Sequence, residues 1–136
     1  MRGEKVMLTG GCLCGAIRYQ AGGQVTHRTA CHCSLCRHAC GAPLVSWFTV
    51  PRAQFVWLQG SPGRFQSSVK ACRSFCTACG TQLTFDDSDW LLDVTMCSLD
   101  DPNAMAPEDH IHVGSKLDWI KLADGLPQYR ASRGEG

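Results

Sequence analysis

Ten cysteines stand in a chain of 136 residues, and most fall in groups whose spacing suits a metal ion. Cys12 and Cys14 form CxC in "GGCLCGAI", and Cys76 and Cys79 form CxxC in "FCTACGT". Gly15 follows the first pair as Gly80 follows the second. A glycine there lets the chain turn back tightly and aim backbone N–H groups at sulfur. Two thiolate pairs make one tetrahedral all-cysteine site, which predicts a structural zinc on Cys12, Cys14, Cys76 and Cys79. The pairs lie far apart in sequence, so the ion would close a long loop and stabilise the fold by constraining the unfolded chain. The plain alternative is buried free cysteine, a small and well-tolerated hydrophobe.

The stretch "CHCSLCRHAC" poses a second problem. Cys31, Cys33 and Cys36 offer three thiolates, and three protein ligands leave one tetrahedral position open. An open zinc can bind a substrate thiol as thiolate beside an electrophile such as an aldehyde. Cys40 stands one helical turn beyond Cys36, on the same helix face. If Cys40 fills the fourth place, the site is closed and structural. A third possibility is an empty, oxidisable thiol cluster. His32, between two ligands, is expected to point away, because side chains alternate along extended chain. Arg37 and Arg52 are candidates to hold the carboxylates of a thiol substrate, with solvated surface arginine as the bland reading. His38 is a candidate for moving a hydroxyl proton. His110 and His112 are expected to share a strand face and to serve in packing or hydrogen bonds. Trp47, Trp57, Trp90 and Trp119 are expected in the core. Cys72 and Cys97 stand apart and carry no assigned role.

The rest of the chain must position these groups. Its length suits one domain, spanning 1–136 with a loose tail over 130–136. Net charge is +1, which speaks against nucleic-acid binding. No signal peptide or membrane-spanning apolar run is read, so a cytoplasmic location is expected, where thiols stay reduced and serve metals before disulfides. Strands are predicted in "AIRYQ", "APLVSWFTV", "QFVWLQG", "RFQSSV", "QLTFDD", "WLLDVTMC" and "HIHVGSK", from their branched and aromatic residues and alternation. Helix is scarce: "SLCRHAC" makes a turn or two capped by Ser34, and Pro102 opens a short helical segment after the turn at Asp100 and Asp101. The fold class is therefore mostly β, of short strands with little helix. Strand order and oligomeric state do not follow from these patterns.

The ordered segments "GGCLCGAIRY", "CHCSLCRHACGAP", "FCTACGTQLTF", "VTMCSLDDP", "HIHVGSKLDWI" and "LADGLPQY" resemble the glutathione-dependent formaldehyde-activating enzyme (GFA) family, also called CENP-V-like. The likeness runs from about Gly10 to Tyr129. It implies an Mss4-like zinc-stabilised fold of short antiparallel strands. It also implies two zinc ions, on the Cys12, Cys14, Cys76, Cys79 set and on the Cys31, Cys33, Cys36 set. The implied activity is that of a carbon–sulfur lyase acting on a thiol–aldehyde adduct such as S-hydroxymethylglutathione, with glutathione or another small thiol as partner. Members often carry serine where this chain has Cys40 and glycine where it has Cys97. A non-catalytic zinc-stabilised binding module and a thiol/zinc redox sensor are the rival classes.

Overall fold

The computed structural model describes residues 5–133. Two sheets form its body. Three strands, β1 (Lys5–Gly11), β2 (Arg18–Gln24) and β5 (Phe55–Gln59), make a small antiparallel sheet in the order β1-β2-β5. Seven strands make the larger one: β3 (His27–Cys31), β4 (Val45–Pro51), β6 (Gly63–Gln66), β7 (Cys72–Phe75), β8 (Gln82–Asp86), β9 (Leu91–Thr95) and β10 (Asp109–Ile111). Their order is β10-β3-β4-β9-β8-β7-β6, antiparallel throughout except the parallel β10–β3 pair. The one α-helix among the described residues is α1 (Ser34–Cys40). The mostly-β expectation is met.

The period of two explains how one sheet can serve both a core and a site. In β4, Phe48 and Val50 face inward with Val94 and Leu92 of β9, Leu83 of β8 and Tyr19 and Ala21 of β2. These residues form the main core between the sheets, and Tyr19 and Phe48 are fully buried. Tyr19 keeps its hydroxyl satisfied against Ser98 Oγ at 2.6 Å. Trp47 and Thr49 alternate with that set and face the opposite side, yet they too are buried, which is why β4 reads as an almost unbroken apolar run.

Several boundaries differ from the sequence reading. β1, β3 and β7 were not anticipated: β1 ends in glycines, while "HRTAC" and "CRSF" each set an arginine in a short run, Arg28 beside Glu108 and Arg73 over the Phe85 ring. The cap of α1 is Cys33, whose Sγ accepts the Cys36 N–H at 3.3 Å, and not Ser34, which is the first helical residue. The predicted strand over "HIHVGSK" stops at Ile111, because His112 turns into the left-handed region at φ 56. His110 and His112 therefore do not share a strand face. Trp47 is core, whereas Trp90 and Trp119 are 81% and 68% exposed, correcting the expectation for those two. Residues 130–133 fall in the stretch read as a tail. Gly114 N donates to Arg130 O, and Arg133 Nε donates to Asp109 Oδ2 at 2.6 Å, since buried Asp109 needs a cation. Residues 134–136 lie outside the described residues.

Candidate metal centres and the adjoining cavity

The first cysteine set assembles from two hairpin loops. Cys12 and Cys14 lie between β1 and β2, and Cys76 and Cys79 between β7 and β8, so the set joins the small sheet to the large one. The four sulfurs lie within 4.8 Å of one another. Cys12 Sγ is 3.7 Å from Cys14 Sγ, and Cys14 Sγ is 3.8 Å from Cys76 Sγ. A tetrahedron with metal–sulfur bonds of about 2.3 Å has edges of roughly 3.8 Å, whereas a disulfide needs about 2.05 Å. The geometry suits an ion and not a crosslink. Gly15 and Gly80 sit at φ +83 and +82, as a tight turn beside a thiolate requires. Backbone N–H groups of Ile17, Ala78 and Cys79 point at Cys12 and Cys76 sulfur, at 3.2 to 3.4 Å. Such donors favour thiolate, and hydrogen bonds from the Thr81 hydroxyl and backbone hold Cys79 down at about 5.

The second set is the tripod Cys31, Cys33 and Cys36. β3 delivers Cys31, the cap position of α1 delivers Cys33, and its first turn delivers Cys36. Cys31 and Cys36 are buried and Cys33 is half-buried. The sulfurs perturb one another: Cys31 and then Cys36 pull Cys33 down to about 2, while Cys33 and Cys36 push Cys31 up. Cys40 is not part of this group. Residues four apart on a helix face can share an ion, yet the Cys40 sulfur lies outside the 4.8 Å grouping that the other three form. Cys40 instead lines a separate hollow of about 560 Å³ with Cys97 and Cys79, and burial pushes its thiol up to about 11. Three cysteines thus stand together without a fourth among the described residues.

His32 turns away from the tripod, as alternation predicted. It is fully buried, and its Nε2 meets His110 Nδ1 at 3.0 Å while His110 Nε2 meets Asp124 Oδ2 at 2.7 Å. Arg37 Nε donates to the His32 carbonyl at 3.3 Å, bracing the peptide between Cys31 and Cys33. Arg52 pairs with Asp86 and donates to Ser88 O at 2.6 Å. His38 lines an adjoining hollow of about 430 Å³ with Leu35 and Phe65. None of Arg37, Arg52 and His38 is among the residues lining the cavity onto which the tripod opens.

That cavity has a volume of about 590 Å³. Its floor is the face of the large sheet opposite the main core. A register row crosses it: His27 opposite Thr49, Thr49 opposite Asp93, Asp93 opposite Phe85, and Phe85 opposite Arg73. All five line the cavity with Cys31, Cys33 and Cys36. Burial pushes the Asp93 carboxyl up to about 6, against the pull of the Thr49 hydroxyl that donates to it at 2.5 Å. Arg73 is 5% exposed and lies 4.7 Å over the Phe85 ring. The sequence reading passed over Asp93 and Arg73. Their signal was a charge inside a strand-like apolar run, "LLDVT", and inside "CRSFC", where a half-buried strand calls for none.

With this geometry in place, likeness to known proteins gains physical meaning. The family model described as "Glutathione-dependent formaldehyde-activating enzyme" (GFA) matches residues 7–115. The chain belongs to that family, and the match takes in both cysteine sets. A curated relative, an uncharacterized lyase of Schizosaccharomyces pombe, is 37% identical over 76 residues, covering 56% of this chain and 55% of the relative. The chain therefore spans about half the length of that relative. A crystal structure of a Rhodobacter sphaeroides protein superposes with a TM-score of 0.55 at 18% identity, over 90% of this chain and 99% of that one, and supports the fold alone.

Proposed function

We propose that the protein is a zinc-dependent carbon–sulfur lyase that makes or breaks the adduct of a small thiol with an aldehyde, S-hydroxymethylglutathione being the type substrate. The observation that carries this reading is the three-cysteine tripod opening onto a 590 Å³ cavity while Cys40 stands aside. Family membership and the lyase name of the yeast relative support the same class. Cys12, Cys14, Cys76 and Cys79 would hold a structural zinc, and Cys31, Cys33 and Cys36 a second one. Zinc at the tripod, when bound, lowers the pKa of a thiol that shares it and favours the thiolate.

The chain's own residues supply the rest. The cavity takes the substrate, and its apolar walls, Trp47, Phe85 and Ile111, exclude water from the reacting end. Asp93 exchanges the proton of the hydroxyl on the aldehyde carbon: a carboxyl held near 6 is present in both forms around neutral pH. Arg37 acts on the tripod from behind, through the His32 carbonyl. A cytoplasmic setting suits the ten unpaired thiols. Among the described residues no helix is long and apolar enough to cross a membrane.

The test is exchange spectroscopy of ¹³C-formaldehyde with glutathione, with and without zinc-loaded protein. The reading expects faster exchange between formaldehyde hydrate and S-hydroxymethylglutathione, abolished in Cys33→Ser. Exchange no faster than in buffer, at full metal loading, refutes it.

A further inference from the structure

We propose that Arg73 is a catalytic residue of this cavity, whose guanidinium holds the oxygen on the aldehyde carbon as charge develops there. The inference rests on the lyase reading above and adds the group that stabilises its transition state. Arg73 rises from β7 beside the tripod: its Nη2 is 3.9 Å from Cys36 Sγ. The Phe85 ring holds the guanidinium plane from one side. Its Nη1 is buried and has no hydrogen-bond partner, although a buried donor is costly to leave unmade. The side chain lines the cavity and is otherwise almost wholly enclosed. A rigid, preorganised donor beside the reacting centre is the arrangement that stabilises a developing oxyanion.

Two other duties fit less well. Balancing the thiolate charge of the tripod occupies Nη2 and leaves Nη1 unexplained. Holding a carboxylate of the thiol substrate conflicts with position, because glutathione's carboxylates lie many bonds from its sulfur, whereas Arg73 adjoins the sulfur end. An oxygen two bonds from the substrate sulfur is the acceptor at the right remove. In the synthetic direction the sulfur–carbon bond forms as the carbonyl π pair moves onto oxygen. Arg73 holds that charge, and the Asp93 carboxyl delivers the proton. In reverse the Asp93 carboxylate takes the hydroxyl proton, the carbonyl re-forms, and sulfur leaves with the bonding pair.

The experiment compares zinc-loaded wild type with Arg73→Gln and Arg73→Lys, after metal content is verified. Binding of three probes is measured by calorimetry: ethanethiol, thioacetate (an oxygen two bonds from sulfur that shares the anionic charge) and 3-mercaptopropionate (a carboxylate further off). Arg73→Gln is expected to weaken thioacetate at least tenfold relative to ethanethiol, with ethanethiol and 3-mercaptopropionate changed less than threefold. Arg73→Lys should restore part of the difference. Formaldehyde exchange in Arg73→Gln should fall about 10²- to 10³-fold, as for loss of an oxyanion donor. An unchanged thioacetate ratio in both variants overturns the proposal, as does equal weakening of thioacetate and 3-mercaptopropionate. A shifted ratio in a wild type that accelerates no exchange overturns the lyase reading and retains Arg73 as the oxygen-binding group.

Discussion

Replacing Asp93 by asparagine should make the protein more stable and less active at once. The carboxyl is half-buried on the cavity floor, and burial lifts it from 3.8 to about 6, with the like charge of Asp87 adding to the rise and the Thr49 hydroxyl opposing it. His27, Phe85 and Arg73 complete its row. A carboxyl raised in the folded state contributes stability that is present below 3.8 and is lost as pH climbs through about 6. At ~1.4 kcal/mol per pH unit, the raised value corresponds to about 3 kcal/mol lost above pH 7, with roughly half of it gone by pH 5. Asparagine keeps an acceptor for Thr49 and has no charge to desolvate. Urea melts of the two zinc-saturated proteins at pH 5 and pH 8 should show Asp93→Asn more stable at both, by a margin about 1.4 kcal/mol larger at pH 8. Formaldehyde exchange should fall about 10²-fold or more, since asparagine cannot carry the proton. A margin that is the same at both pH values, or a variant less stable than wild type at pH 8, would show that no buried carboxylate titrates here.

The two cysteine sets should separate on mutation. Cys79→Ser removes a ligand that joins the two sheets and should prevent folding, read by loss of dispersed NMR signals, because structural zinc contributes on the order of 10 kcal/mol to such domains. Cys33→Ser should fold with one zinc by mass spectrometry, since serine is a good cap for α1; unfolding as complete as that of Cys79→Ser would sink the division into structural and open sites. Cys40→Ser should retain two zinc ions and exchange activity within about twofold, because its sulfur lies outside the tripod; loss of the second zinc would show Cys40 to be a ligand. Gly80→Ala should cost about 1 kcal/mol in thermal unfolding, from the strain of φ +82 where the added methyl meets nothing within 4 Å.

The two cysteine groups were legible from the chain because their spacing is local. CxC, CxxC and CxCxxC each bring sulfurs close along the chain, and the glycine after CxC and CxxC marks the turn itself. The branched and aromatic residues of "APLVSWFTV" were equally local, and the mostly-β class followed from such runs. His32 could be turned away from the tripod by alternation alone.

What only the tertiary structure decided is what each knuckle meets. Arg73, Phe85, Asp93, Thr49 and His27 come from five different strands, and only the pairing register of β7, β8, β9, β4 and β3 sets them in one row. A shift of one residue in any strand would turn its side chain to the other face, so no local pattern encodes the row. Proximity in sequence chose Arg37 and Arg52 for the cavity; the fold spends one on the back of the tripod and the other on Asp86. Cys40 shows the same limit from the other side. The chain places it on the face of Cys36, but the hollow it meets there is a property of three dimensions.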